Sequence, residues 1–103
     1  ILNKFGHYNR DHTHPHSFLS GVFYPGENYS KDSGDLTFRN PSHMVMSYDW
    51  DEKQKNFNQY NSLKMNIQPQ TGMCLLFPSF ISHYVNVNKN KDIDRLAISF
   101  NIE

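Results

Sequence analysis

Apolar residues along this chain alternate with polar ones or gather in short runs, and no long segment keeps the 3.6-residue period of a helix laid against a core. The runs are separated by clusters of Gly, Pro, Asn, Asp and Ser. This pattern predicts a chain that is nearly all β. The expected strands are Lys4–Tyr8, Phe18–Tyr24, Asp35–Arg39, Met44–Asp49, Lys64–Ile67, Met73–Phe77, Ser82–Val87 and Arg95–Ile102. Short strands at this spacing suggest a jelly roll or a sandwich.

Pro25-Gly26-Glu27-Asn28, Lys31-Asp32-Ser33-Gly34, Asn40-Pro41-Ser42 and Gln68-Pro69-Gln70-Thr71-Gly72 carry turn chemistry. In these stretches Gly supplies positive φ and Pro fixes φ near −65°. Asp51 to Asn61 is polar and poor in β-branched residues, so it is expected to be a solvated loop or a single helical turn. No repeat, linker or domain boundary is visible. Residues 1–103 are therefore expected to form one domain, and a start at Ile1 instead of Met suggests that an N-terminal extension precedes it.

The last expected strand is the most regular. Leu96, Ile98, Phe100 and Ile102 fall on one face, with Arg95, Ala97, Ser99 and Asn101 on the other. A face built from an arginine, a small residue, Ser and Asn suits the lining of a polar site as well as it suits open solvent. Arginine in such a lining can clamp a carboxylate with two parallel hydrogen bonds.

Composition narrows the picture. A chain of 103 residues buries a thin core. With aromatics at 15%, that core is expected to rest on Phe and Tyr, which favour strands. Lys plus Arg and Asp plus Glu balance at 10 each, so no net field exists to hold a phosphate backbone or an anionic membrane. The single cysteine, Cys74, excludes an internal disulfide and, lying in an apolar run, is expected in the core. With no membrane-length apolar stretch and no signal peptide, the cytoplasm is the expected compartment.

Histidines carry the chemistry. His12, His14 and His16 recur at every second position, with His7 just upstream. In an extended chain, residues two apart share a face at roughly 6.6 Å. Two imidazoles so placed can converge on one ion at about 2.0–2.1 Å. Either His12 with His14 or His14 with His16 forms such a pair. The best third ligand is His83, which follows an apolar strand and a Pro-Ser turn. Three protein ligands leave open positions on an octahedral ion, as oxygen chemistry requires. An incidental surface strip is the plain alternative, and His7 and His43 are read as surface residues.

Several segments together resemble the 2-oxoglutarate and Fe(II)-dependent oxygenase superfamily, in particular a branch found in bacteria and phages. They are Tyr8-Asn9-Arg10-Asp11-His12-Thr13-His14-Pro15, Leu19-Ser20-Gly21-Val22-Phe23-Tyr24, Gly34-Asp35-Leu36-Thr37-Phe38, Gly72-Met73-Cys74-Leu75-Leu76-Phe77-Pro78-Ser79, and His83 followed by Arg95. The resemblance implies an all-β, cupin-like double-stranded β-helix (a jelly roll) with iron at its open end. It implies that His12 and His83 match the superfamily's first and distal histidine ligands. It further implies that Arg95 pairs with the far carboxylate of 2-oxoglutarate, with Tyr24 and Ser99 as further co-substrate contacts. His14 stands where the wider superfamily has a carboxylate, and Asp11 would point to the opposite strand face. The implied activity is hydroxylation coupled to decarboxylation of 2-oxoglutarate, with Tyr24, Phe23 and Phe77 shielding the metal.

Two other readings fit the same residues: a cupin-like metalloenzyme that uses the three histidines without 2-oxoglutarate, and a non-enzymatic jelly-roll binding or structural module. The prime substrate is open among a small metabolite, a peptide and a nucleobase, and the oligomeric state is open. Trp50 could pack over the rim or touch substrate, and Met44, Met46, Met65 and Met73 read as filler on strand faces.

Overall fold

A computed structural model of the chain describes residues 1–42 and 62–103. Among these residues nine strands follow one another, and every pairing between them is antiparallel. β2 (Asn9–His12), β7 (His83–Val85), β4 (Leu36–Arg39) and β5 (Lys64–Ile67) form a four-stranded sheet in that order. β6 (Cys74–Pro78), β3 (Leu19–Phe23) and β9 (Ile98–Ile102) form a three-stranded one, and β1 (Leu2–Asn3) pairs with β8 (Arg95–Leu96). No helix occurs among the described residues, and the arrangement is consistent with the expected jelly roll. Nothing among them is a helix long and apolar enough to cross a membrane.

The core lies between the two larger sheets because each alternating strand turns one face inward. Leu36 and Phe38 of β4 meet Val22 and Tyr24 from the β3 side, with Phe77 and Ala97 completing the buried cluster. The rings of Phe38 and Phe77 meet edge to face at 4.8 Å and tie the sheets together. The expected aromatic core is thus present. Outward-facing Thr37 is buried as well, donating to Asn66 Oδ1 at 2.6 Å and accepting from Asn86 Nδ2 at 2.7 Å.

The expected final strand is split at Ala97. β8 pairs with β1 and β9 with β3, and the Ala97 N–H donates to the Ile1 carbonyl at the break, at 2.9 Å. Around the break the polar face is inward, with Arg95 and Ala97 buried and Leu96 and Ile98 exposed, but along β9 Ser99, Asn101 and Ile102 are all exposed and Phe100 is half-buried.

Other expectations need correction. Lys4–Tyr8 is not a strand. Gly6 takes φ +84°, and a turn closes through the His7 N–H to the Lys4 carbonyl at 2.9 Å, so pairing begins only at Asn9. The fully buried Asn88 fixes this turn: its Nδ2 donates to the Asn3 carbonyl at 2.9 Å, and its own carbonyl accepts the Gly6 N–H at 2.8 Å.

Cys74 is exposed rather than in the core. In β6, Leu75 and Phe77 take the inward positions, which leaves Cys74 and Leu76 outside. Met73 is half-buried against the core and Met65 is exposed. The expected strand Met44–Asp49, the loop 51–61, His43 and Trp50 lie outside the described residues.

Candidate functional site

β2 ends at His12 and β7 begins at His83, and the two residues are direct cross-strand partners. His14 lies past the end of β2, where its N–H donates to the Ser79 carbonyl at 3.0 Å. Beyond it His16 takes φ +72° and is exposed, so the chain turns away and His16 does not join the group. His7 is exposed too. The strip is therefore a strand end followed by a turn, and the pair that converges is His12 with His14.

The three rings cluster, with centroids of His12–His83 at 4.3 Å, His12–His14 at 4.9 Å and His14–His83 at 5.0 Å. One nitrogen from each lies within 4.8 Å of the others. Two of the rings have a defined tautomer. His12 Nδ1 lies 2.6 Å from the Arg10 carbonyl and His83 Nδ1 lies 2.9 Å from the Ile81 carbonyl. A carbonyl can only accept, so each Nδ1 carries the proton and each Nε2 presents a lone pair. His14 Nε2 stands 3.2 Å from His83 Nε2. Two cis ligands about 2.1 Å from an octahedral ion stand about 3 Å apart, so this pair already has chelating geometry.

Burial pushes the His83 imidazole below its ordinary value, against an opposing contribution from the Ile81 carbonyl, and the nearby His12 and His14 push the same way as burial. His14 is also lowered, first by burial and then by His12. The rings of Phe77 and Phe38, 4.8 and 6.0 Å from the His83 ring, supply the apolar wall that desolvates it. Neutral imidazoles are the form a metal binds.

A cavity of about 120 Å³ is lined by His12, His14, His83, Tyr24, Arg95 and Ser99, among others. Arg95 is 2% exposed; its Nε donates to the Gly34 carbonyl at 3.0 Å and its Nη2 to the Tyr24 hydroxyl at 3.1 Å. The single ion pair among the described residues joins Arg39 to Asp11, so Arg95 has no carboxylate partner there. Its charge is buried, held among the described residues by two neutral oxygens and the Tyr24 ring, and lines the cavity that the histidines share. A buried cation of this kind favours an anionic occupant.

Tyr24 is fully buried, which raises its phenol, although the Arg95 charge and hydrogen bond pull it down. The ring therefore stays a neutral phenol. Ser99 lies beside Val22 across the β3–β9 ladder. Phe77 and Tyr24 line the cavity as expected, but Phe23 does not, because it falls on the outward face of β3.

Sequence reasoning assigned Gly34 only a turn, although its carbonyl orients the Arg95 fork. It gave no function to Asp11 beyond facing away from the metal. In the structure Asp11 does face away, accepting from Arg39 Nε at 2.5 Å and from the Ser82 hydroxyl.

A family model described as "Putative 2OG-Fe(II) oxygenase" matches residues 1–101. The chain belongs to the 2OG-Fe(II) oxygenase superfamily. Membership implies Fe(II) and 2-oxoglutarate, and the histidine cluster and the buried arginine are the residues that could hold them. No curated protein matches the chain.

Proposed function

We propose that this chain is an Fe(II)- and 2-oxoglutarate-dependent hydroxylase in which His12, His14 and His83 hold the metal and Arg95 holds the far carboxylate of the co-substrate. The observation that carries the proposal is the buried Arg95 guanidinium, free of any carboxylate among the described residues, in the cavity lined by the three imidazoles. A metal site alone would not need that cation. A 2-oxo diacid would use both the metal and the cation.

Bound iron(II) supplies oxygen activation, coupled to decarboxylation of 2-oxoglutarate to succinate and hydroxylation of a substrate C–H bond. The protein's part is positioning. His12, His14 and His83 would hold the metal through three neutral imidazole nitrogens, a set that would leave room beside it for the 2-oxo acid. They also leave the metal's positive charge undiminished, which favours a dianionic co-substrate. Arg95 fixes the distal carboxylate through its two-pronged donor set, and Tyr24, as a neutral phenol, adds a hydroxyl at that end. Phe77 and Tyr24 line the cavity with aromatic rings that would shield the metal. In this reading Ser99 is a further polar contact on the cavity wall, and the substrate is a small molecule or a peptide.

Anaerobic titration with Fe(II) and 2-oxoglutarate tests the reading. Bidentate chelation gives a visible charge-transfer band that neither component gives alone. Bound iron without the band would favour a metalloenzyme that does not use 2-oxoglutarate. Absence of iron binding would favour a jelly-roll module without metal chemistry.

A further inference from the structure

Each of two site histidines is hooked by its Nδ1–H to the carbonyl two residues upstream: His12 to Arg10, at 2.6 Å, and His83 to Ile81, at 2.9 Å. The residue in the middle of the first hook is Asp11, and in the middle of the second is Ser82. These two are bonded to each other, with the Ser82 hydroxyl donating to Asp11 Oδ1. The other carboxylate oxygen, Oδ2, accepts from Arg39 Nε at 2.5 Å. Arg39 is the last residue of β4, and its N–H donates to the Ser82 carbonyl at 2.9 Å.

One carboxylate thus links β2, the residue that leads into β7 and the end of β4 at the level of His12 and His83. The link lies beside an irregularity in the backbone ladder. Between the Asn9–Val85 pair and the His12–His83 pair the β2–β7 register shifts by an irregularity. A bulge leaves a residue unpaired and loosens that stretch.

We propose that Asp11 is a positioning residue for the metal site. Its carboxylate cross-links the two histidine hooks and so sets the separation and tilt of the His12 and His83 rings. The inference rests on the reading of those histidines as metal ligands. A carboxylate is required because its two oxygens accept from two different strands at once, whereas an amide can accept with only one. As a surface ion pair, half open to water, the Asp11–Arg39 contact adds little to global stability. Its effect is on geometry, and geometry is what a chelate responds to.

Co(II) serves as the probe, because its visible d–d bands report ligand geometry without turnover. Wild-type protein, Asp11→Ala, Asp11→Asn, Ser82→Ala and the Asp11→Ala/Ser82→Ala double variant would be titrated, and the melting temperature of each metal-free protein measured. Asp11→Ala should weaken Co(II) binding by about ten- to a hundredfold, the range for groups that orient a metal ligand. Its d–d bands should shift, while the melting temperature stays within a few degrees of wild type. Asp11→Asn should fall between Asp11→Ala and wild type. Removing Ser82 from the Asp11→Ala protein should add almost nothing, since the link is already cut. If Asp11→Ala fails to fold, Ser82→Ala still cuts the link and carries the same expectation. Wild-type binding with unchanged affinity and spectrum in these variants overturns the proposal while the metal site stands. No Co(II) binding by wild type overturns both.

Discussion

His14 Nε2 and His83 Nε2 face each other at 3.2 Å although 69 residues separate them in the chain. Because the His83 Nδ1–H is engaged by the Ile81 carbonyl, the His83 nitrogen at this contact is a lone-pair site and not a donor. In the proposed reading these two nitrogens would be ligands of one ion.

It follows that His14→Ala should lower metal affinity as much as His12→Ala or His83→Ala does, by tenfold or more in each case. His16→Ala should leave it unchanged, because His16 is exposed beyond the turn at φ +72°. Anaerobic equilibrium dialysis against Fe(II) would measure this, with one ion per chain expected for wild type. A loss at His16 with none at His14 would move the ligand pair along the strip.

Burial holds His14 and His83 below the ordinary imidazole value of 6.5 in the folded chain. Between their folded values and 6.5 the unfolded chain binds more protons, so in that window stability rises with pH. The metal-free protein should keep full stability above about pH 7 and lose it progressively below about pH 6.5. His83→Gln should flatten the dependence, since His83 is the more buried of the two. Melting temperatures from about pH 7.5 down to about pH 5.5, above the range where most carboxylates titrate, would test this. A flat profile for wild type would contradict it.

Gly34 offers a test of how Arg95 is held. Its φ of +100° excludes most side chains, and a Cβ there would run into the Asn86 carbonyl oxygen. Gly34→Ala should cost at least about 1–3 kcal/mol from the backbone conformation alone, or about 5 °C or more of melting temperature in a domain this size. Gly72→Ala, at φ +81° with open space around it, should cost less. Only the Gly34 variant should weaken 2-oxoglutarate binding, because only Gly34 offers its carbonyl to Arg95 Nε.

Some of this was legible in the residues alone. Lys64–Ile67 is a strand with the expected bounds, and the expected alternation holds from Arg95 to Ile98 but not along the rest of β9. Which face is inside was not legible, because an unbroken apolar run such as Met73 to Phe77 carries no polar marker, and Cys74 therefore emerged outside. Where a strand stops was equally hidden. The choice between His14 and His16 depended on a turn that no period predicts, and Lys4–Tyr8 was lost to the turn at Gly6. The Asp11–Ser82 bond joins residues 71 apart on the outer face of a sheet, a relationship that only the register of β2 on β7 creates.

Arg95 decides most directly between a 2-oxoglutarate enzyme and a metal site of another kind. Its guanidinium would give the co-substrate a charged hydrogen bond in a desolvated cavity, a contact contributing about 1.5–3 kcal/mol. Removing it should raise the 2-oxoglutarate dissociation constant by roughly ten- to a hundredfold, since every 1.4 kcal/mol is tenfold. Iron affinity should barely change, because Arg95 is not among the clustered nitrogen ligands. Arg95→Ala is a severe change, however: the side chain is 2% exposed and donates to Gly34 and Tyr24, so its loss also leaves a void and unmade bonds. Arg95→Lys separates the two effects. It keeps the charge and most of the volume but cannot reproduce the two-pronged contact, so it should recover part of the affinity and most of the stability. Tyr24→Phe removes the hydroxyl that Arg95 Nη2 donates to, at 3.1 Å, and should weaken 2-oxoglutarate binding less than Arg95→Lys does. Titration calorimetry with Mn(II) in place of iron would rank the three without turnover. Equal 2-oxoglutarate affinity in wild type and a folded Arg95→Lys or Arg95→Ala protein would remove the arginine from the co-substrate site.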